Sequence, residues 1–544
     1  MEGLNGHFCH GFYPQVRPKS LFYLKFSLLI QQGSPWVLLT ELLKKKNQNI
    51  WLEDRMKITP SFDEILKIRE TLDPSYKCFP VCASILADVR TPVETLRILK
   101  NVSSHVYMFE SVEGDEKFGR YSFLGFQPKT LLTCTDGVLT IDGFTTKTTH
   151  PGDAIRQLIA AHKAPKVPGL PPFTGGLVGY FSYDYLKYSE PSLRLDAQDT
   201  EGFKDVDLML FDKVIAYDNL TGRIYLIANI SLENAKNEYN GAVRDLRNMA
   251  DLIRHGSPSA EVKGRLFSDF RPLFSKEQYC DMVKKAQHYI HEGDIFQIVL
   301  SNRLEADFEG SLLDTYRVLR TLNPSPYMFY FSGTDVEVAG ASPETLTKLE
   351  DGVLHTFPLA GTRPRGKTEE EDGRLEAELL VDPKELAEHN MLVDLGRNDL
   401  GKISEFGSVK VEKYHQVLRY SHVMHIGSTV CGRIRKGFDA VDAIDAILPA
   451  GTLSGAPKIR ACQLINDLED NKRGIYGGAI GYLDFTGNMD TCIAIRIAYR
   501  KNGKVFVRSG AGIVADSVPE NEHQECLNKA AAVVKALRTA QEEL

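Results

Sequence analysis

The stretch Asp382-Pro383-Lys384-Glu385-Leu386-Ala387-Glu388-His389-Asn390-Met391-Leu392-Val393-Asp394-Leu395-Gly396-Arg397-Asn398-Asp399 opens a helix and loads its first turns with acid. Asp382 suits the N-cap, Pro383 the first helical position, and Glu385 the reciprocal acid of a capping box. Glu388 follows Glu385 by three residues and shares its face. A second stretch near the end of the chain repeats the device. There Pro519 precedes Glu522, Glu525 and Lys529, spaced i, i+3 and i+7, which puts two carboxylates and an ammonium on one stripe. That helix continues as Ala530-Ala531-Ala532-Val533-Val534 and is therefore largely buried. Acids in a first turn are favoured by the helix dipole by about 0.3–1 kcal/mol, so each helix taken alone requires no function. Together they offer four carboxylates to one hard cation. Mg2+ takes one or two protein carboxylates and completes its shell with waters and an anionic ligand.

The rest of the chain is compatible with such a site. It has 544 residues, 65 Lys+Arg against 72 Asp+Glu, a net charge of −7 and 43% apolar residues. At roughly 150 residues per domain this is three or four domains, or two large ones. The negative balance argues against nucleic acid as the partner, because phosphate neutralisation needs clustered Lys and Arg. No apolar run reaches the roughly 18 residues of a membrane span. Nine cysteines, at 9, 78, 82, 134, 280, 431, 462, 492 and 526, form no C-x-x-C pair. They read as reduced core thiols of a cytoplasmic protein, and they lack zinc-ligand spacing.

Residues 1–55 differ in character from the remainder of the sequence. Their apolar stretch, Leu21 to Leu43, is broken by polar residues, and Lys44-Lys45-Lys46 comes after it, the reverse of a secretory signal. Met56 reads as the functional start and 1–55 as a misassigned leader; a targeting segment and a genuine appended element are the alternatives. Residues 56–254 form a first unit, with strands at Val106–Phe109, Leu131–Cys134, Val138–Ile141 and Ile224–Ile230. The turn-rich His255-Gly256-Ser257-Pro258-Ser259-Ala260 marks a boundary, and 266–544 form a second unit. In the latter, Ser275 and Gln278 make a capping box, a helix runs on with Tyr279, Met282, Val283, Ala286, Tyr289 and Ile290 on one face, and Gly293 ends it. The segments Gly175–Tyr180 and Gly477–Tyr482 echo one another and either pair or duplicate. Gly510-Ala511-Gly512-Ile513-Val514-Ala515 fits a loose dinucleotide fingerprint but leaves too little chain for the rest of that fold. Gly451-Thr452-Leu453-Ser454-Gly455-Ala456-Pro457-Lys458 is a glycine-rich loop running into a helix, a place that suits an anion. Periodicity by itself supports only a mixture of helices and strands.

Six ordered stretches carry a resemblance: Gly293–Ser301, Gly340-Ala341-Ser342-Pro343-Glu344, Pro358–Gly366, Lys384–Asp399, Gly451–Lys458 and Ser509–Val514. Through them the second half resembles the chorismate-utilising enzymes, and 56–544 resembles the large subunits of anthranilate synthases. The resemblance implies an α+β fold of two large antiparallel β-sheets in a sandwich with helices packed outside. It implies that Glu388 and Glu525 ligate Mg2+, with Glu385 and Glu522 beside them, and that the ion holds the ring carboxylate of chorismate. Tyr476, Arg496 and the backbone of Gly510, Ala511 and Gly512 would hold the enolpyruvyl carboxylate, and Gly361, Thr362 and Lys529 would complete the pocket. Glu344 would be the general acid for departure of the ring hydroxyl, which needs a raised pKa. His425 and Thr452 would assist hydroxyl departure or pyruvate elimination.

Two positions bear on the reaction. Relatives that add water carry a lysine base where this chain has Gln297, and an amide cannot deprotonate water near neutral pH. Relatives that make 4-amino-4-deoxychorismate typically carry a nucleophilic lysine where this chain has Ala360. Direct attack by ammonia followed by pyruvate loss, giving anthranilate, is the reaction then implied. Glu110, Ser111, Lys117, Pro326, Tyr327, Met328, Ile480, Gly481, Tyr482 and Cys492 resemble the elements that bind L-tryptophan as a feedback inhibitor. With no amidotransferase segment in the sequence, the resemblance implies a separate glutamine amidotransferase subunit, in a heterotetramer of two large and two small subunits. The competing readings are an aminodeoxychorismate synthase subunit and a catalytically idle tryptophan-binding subunit.

Overall fold

The computed structural model describes residues 56–111, 119–260, 262–420 and 423–544; the readings placed on 1–55 lie outside them. Residues Ile58–Leu544 make one compact unit. Two antiparallel sheets, of 14 and 12 strands, form its layers. The first runs in the order Ile58–Thr59, Cys78–Leu86, Arg223–Ser231, Lys213–Asp218, Tyr121–Phe126, Val106–Glu110, Tyr327–Ser332, Glu337–Ser342, Ile497–Lys501, Lys504–Ile513, Gln297–Glu309 and Arg265–Leu266. The second runs Leu359–Pro364, Val423–Arg433, Val353–Thr356, Thr345–Glu350, Met489–Ile493, Ala479–Asp484, Gly176–Phe181, Val206–Phe211, Thr130–Thr135, Val138–Ile141 and Phe144–Lys147. Each sheet takes strands from both sides of the break near residue 255. The break thus divides the sequence without dividing the hydrogen-bonded layers.

The core follows from side-chain alternation. In Val206–Phe211, Leu208 and Leu210 face an outer core while Met209 and Phe211 face the space between the sheets. Both faces are buried, so Leu208–Phe211 reads as an apolar run, with the buried Asp207 preceding it. Tyr107, Phe329 and Tyr499 from the first sheet meet Val178, Ile480 and Cys492 from the second in that inner layer. Helices Lys276–His291 and Lys458–Glu469 cover the outside of the first sheet. Helices Gly152–Ala161, Pro383–Gly401 and Ala440–Ile447 cover the outside of the second. This is the expected α+β sandwich with helices outside.

Local signals match the structure closely. Ser275 and Gln278 close a full capping box, and Gly293 sits at φ 85° just beyond the helix. The two glycine echoes pair, with Gly179 opposite Gly481. A Cβ on Gly481 would come within 2.1 Å of the Asp490 carbonyl, so the repeat reflects close strand approach. Gly510 and Gly512 lie inside the strand Lys504–Ile513 rather than in a turn opening a helix, which removes the dinucleotide reading. The eight described cysteines are free and buried.

Candidate active site

Helix Pro383–Gly401 starts at Asp382, whose carboxylate accepts the N–H groups of Lys384 and Glu385 at 3.0 and 3.2 Å. The expected capping box is only half formed. The Asp382 N–H goes to the Leu379 carbonyl at 3.4 Å, and the Glu385 carboxylate turns to Arg363 Nη1 at 3.4 Å. Arg363 also holds Asp382 at 2.7 Å. A charged donor attracts a carboxylate more strongly than a neutral N–H does.

Burial, Glu385 and Glu525 raise the Glu388 carboxyl above its usual range. Burial and Glu525 do the same to Glu522. The opening two turns of two distant helices therefore lie near one another. Lys529 pairs with Glu525 at 2.7 Å and donates to the Gly510 carbonyl at 3.2 Å. No side-chain hydrogen bond or ion pair occupies Glu388 among the described residues.

Glu344 follows the strand Glu337–Ser342 and accepts a hydrogen bond from the Thr452 hydroxyl at 3.0 Å. Desolvation pushes its carboxyl up from 4.5 to about 7, against the opposing effects of Thr452 and Lys529. At neutral pH a large fraction is protonated, as a general acid requires. His425 sits on the strand Val423–Arg433 with Nδ1 2.8 Å from the Gly361 carbonyl and 3.1 Å from Thr362 Oγ1. A carbonyl only accepts, which assigns the proton to Nδ1 and leaves Nε2 a free lone pair. Burial holds this imidazole below its usual 6.5, so it is neutral at pH 7. Gly361 takes φ 70° at a break in strand register. A Cβ there would meet Leu379 at 3.0 Å and Glu385 Oε2 at 3.2 Å.

Arg496 occupies φ 54° between the strands Met489–Ile493 and Ile497–Lys501. Its guanidinium has no hydrogen-bond or ion-pair partner among the described residues, and burial lowers its pKa. A partly desolvated cation without a counter-charge is an anion site. Tyr476 is its neighbour. The Tyr476 hydroxyl is 3.1 Å from the place of a Cβ on Gly510, and Gln297 Nε2 is 2.9 Å from that of Gly512. The two glycines, having no side chains, let Tyr476 and Gln297 pack close against that strand face. Ala511 lies between them with the opposite parity. Its side chain points to the opposite face, into the outer core with Ile513, so only its backbone can face the cleft.

The neighbours close a ring. Thr452 touches Glu344, Lys529 acts on Glu344 and contacts Gly510, and Gly510 lies against Tyr476. Tyr476 adjoins Arg496, Arg496 acts on His425, His425 binds Gly361 and Thr362, and Gly361 abuts Glu385. The cleft so outlined carries acids on one wall and an unpaired guanidinium among polar groups on another.

Two buried ion networks that the sequence did not announce support this ring. Glu469, Arg473 and Arg508 are each at most 1% exposed. Arg473 pairs with Glu469 at 2.6 Å and Arg508 with Glu469 at 2.7 Å. Arg473 also donates to the Leu453 and Val299 carbonyls at 2.6 and 2.7 Å, pinning the turn that carries Thr452. Lys458 binds Asp399 at 2.6 Å and the Ile447 carbonyl at 2.8 Å, joining the ends of the stretches 382–399 and 451–458. Glu469 and Arg473 are spaced i, i+4 and look like an ordinary surface pair in sequence; nothing local marks their burial.

A separate cavity of about 150 Å3 lies between the sheets. Glu110, Ser111, Pro326, Tyr327, Met328, Ile480, Gly481, Tyr482 and Cys492 all line it; Lys117 lies outside the described residues. Glu110 is not free there. Its carboxylate is held by the Tyr316 hydroxyl and the Arg320 guanidinium, both from helix Leu313–Leu322.

Among the described residues no three His, Cys, Asp or Glu side chains are gathered as a ready metal cage. The donor set nevertheless suits a hard ion that takes two protein carboxylates. Glu388 has no partner among the described residues, Glu525 lies near it, and both are oxygen donors. No described helix is long and apolar enough to cross a membrane.

Residues 104–535 match the family model described as chorismate binding enzyme. The chain is 44% identical over 497 residues to anthranilate synthase component 1 of Aquifex aeolicus, covering 90% of this chain and 99% of that one. Among solved structures, anthranilate synthase component I from Streptococcus pneumoniae matches with TM-score 0.70 and 38% identity, over 78% of this chain and 93% of that one. The menaquinone-specific isochorismate synthase of Escherichia coli, at TM-score 0.63 and 20% identity, covers 88% of this chain and 99% of its own, and shares the fold. The chain belongs to the chorismate binding enzyme family and, within it, to the anthranilate synthase component 1 group.

Proposed function

We propose that this chain aminates chorismate with ammonia and expels pyruvate to give anthranilate, the committed step of tryptophan biosynthesis. The observation that carries the reading is the Glu344 carboxyl. It is held at about 7 in a cleft that also presents the unpaired Arg496 and two converging acidic helix starts. A dianionic ring bound there would place its enolpyruvyl carboxylate at Arg496, Tyr476 and the Gly510–Gly512 backbone. Its ring carboxylate would lie toward Glu388 and Glu525, with Mg2+ between. The ion, when bound, would neutralise that carboxylate and fix its position. Glu344 donates its proton to the departing ring hydroxyl, which leaves as water while ammonia bonds to ring carbon 2. The second step breaks the bond between ring and enolpyruvyl oxygen, the ring loses a proton, and the released enol takes one up as pyruvate. The neutral His425 offers Nε2 as an acceptor near these events.

Gln297 supplies no base for water, and Ala360 no nucleophile for the aminodeoxychorismate route. The relatives' designation as component 1 supports a second component. We assign it as a glutamine amidotransferase subunit that supplies ammonia, in a cytoplasmic heterotetramer of two large and two small subunits. Residues 56–254 contribute Glu110 and Ser111, among others, to the regulatory cavity, and 266–544 contribute its remaining walls together with the chorismate site. The cavity between the sheets is assigned to L-tryptophan, with apolar walls for the indole.

The experiment is direct. Purified chain, chorismate, Mg2+ and an ammonium salt yield anthranilate fluorescence and an equal amount of pyruvate. Amination without pyruvate release would move the chain to the aminodeoxychorismate class. Tryptophan binding with no turnover would make it an idle regulatory subunit.

A further inference from the structure

The four acids at the two helix starts are not equivalent in this structure. Glu388 has no hydrogen-bond or ion-pair partner among the described residues. Among the described residues Glu525 is held only by Lys529, a single point charge on a flexible stem, and it is about half exposed. Glu385 is held differently. Arg363 reaches it with Nη1 at 3.4 Å while Nη2 grips Asp382 at 2.7 Å. The same Nη1 donates to the Thr362 carbonyl at 3.0 Å. The fork is thus anchored at the helix cap and on its own strand, and Glu385 is its third contact. The Gly361 bulge fits against the far side of Glu385, with Oε2 at 3.2 Å from the place of a Cβ. Glu385 is therefore held by one nitrogen of a guanidinium whose other contacts fix it to the helix cap and to its own strand, with the side-chain-free Gly361 beside it.

The count of free carboxylates decides which divalent ion a site prefers. Mg2+ holds one or two carboxylates and keeps several waters in a strict octahedron. Ca2+ takes six to eight oxygens and welcomes additional carboxylates. With Glu522 engaged by the Ser517 hydroxyl, a site with Glu388 and Glu525 available and Glu385 withheld is of the first kind. With Glu385 released, it becomes of the second. Lysine could neutralise Glu385 but could not hold Asp382, the Thr362 carbonyl and Glu385 in one plane.

We propose that Arg363 is a specificity-determining residue of the metal site, keeping Glu385 out of the ion's shell and so favouring Mg2+ over Ca2+. The inference rests on the proposed binding of a divalent ion by Glu388 and Glu525. Arg363 touches neither the ring nor the ion; it acts through Glu385.

The test is calorimetric titration of the full chain with MgCl2 and with CaCl2, without chorismate, for wild type, Arg363→Gln, Arg363→Lys and Arg363→Gln combined with Glu385→Gln. Removing a cation near acids strengthens binding of both ions. The inference concerns the ratio. Arg363→Gln raises the Ca2+ to Mg2+ affinity ratio about tenfold, and the double variant returns it toward wild type because the released carboxylate is gone. Arg363→Lys, which keeps the charge and a better chance of folding, shifts the ratio in the same direction by a smaller factor. An unchanged ratio in Arg363→Gln, or in Arg363→Lys should the former not fold, overturns the proposal. A wild-type chain that binds neither ion, but still turns over chorismate with the metal chelated, overturns the metal reading itself.

Discussion

The Thr452 hydroxyl donates to the Glu344 carboxylate across 3.0 Å, linking a turn and a strand end 108 residues apart. That bond lowers the Glu344 pKa, while desolvation raises it to about 7. The value is a balance between the two, and either side can be moved. With the acid form required, kcat/KM of the free enzyme falls as pH rises through about 7. Thr452→Val removes the stabilised anion's donor, so this limb moves to higher pH. A pH–rate profile of the two proteins checks it; a limb that stayed put or moved down would remove Glu344 from the role. Glu344→Gln lowers kcat about 10²- to 10⁴-fold, the usual worth of a positioned acid.

The same carboxyl carries a stability signature. Its folded pKa lies above the unfolded value of 4.5, so the folded chain binds more protons between these limits and stability falls as pH rises from about 4.5 to about 7. Glu344→Gln is free of that loss. The variant unfolds at higher temperature than wild type at pH 8, by about 1–3 kcal/mol of stability, and the gap closes toward pH 4.5. Thermal unfolding at the two pH values decides this, and a constant gap would contradict the desolvation account.

Glu469 is the only carboxylate of its buried triad, between Arg473 and Arg508. Glu469→Gln leaves two guanidiniums in the core with no counter-charge. A loss of about 3–5 kcal/mol is expected, read by urea unfolding. The loss should come with weaker substrate binding, since Arg473 anchors the Leu453 carbonyl beside Thr452.

At Gly361 the backbone is left-handed, φ 70°, and a Cβ would press on Leu379 and Glu385. Gly361→Ala costs about 1–2 kcal/mol of backbone strain. It also shifts the carbonyl that orients His425, so turnover drops more than stability does. Parallel measurement of kcat and urea midpoint separates the two effects.

Arg320 occupies the Glu110 carboxylate at the cavity between the sheets. A ligand ammonium seeking Glu110 must displace this internal cation. Arg320→Gln therefore binds tryptophan more tightly in calorimetry. Weaker binding would mean that Arg320 contacts the ligand and does not compete with it.

Sequence and structure agree where the signal is local. Ser275 and Gln278 cap their helix, Gly293 ends it, and Val138–Ile141 is a strand with those limits. These depend on hydrogen bonds between residues three or four apart, or on one residue's φ. The Asp382 cap forms for the same reason, but the Glu385 half of its box does not, because Arg363 arrives from a strand that the helix sequence does not contain. The orientation of Ala511 is set by strand parity, which requires knowing that Gly510 and Gly512 lie inside a strand.

From the order of residues alone came the caps, the apolar faces, the paired acids and the six motifs. Each is a matter of spacing along one element or of likeness to other chains. The tertiary structure settled which charges meet. Long-range electrostatics depends on separation in space and on burial, and both are properties of packed sheets. That is why Glu469 with Arg508, Lys458 with Asp399, and Glu110 with Arg320 are pairs that only the folded chain brings together, and why the burial of Glu469 with Arg473 is not visible in their i, i+4 spacing.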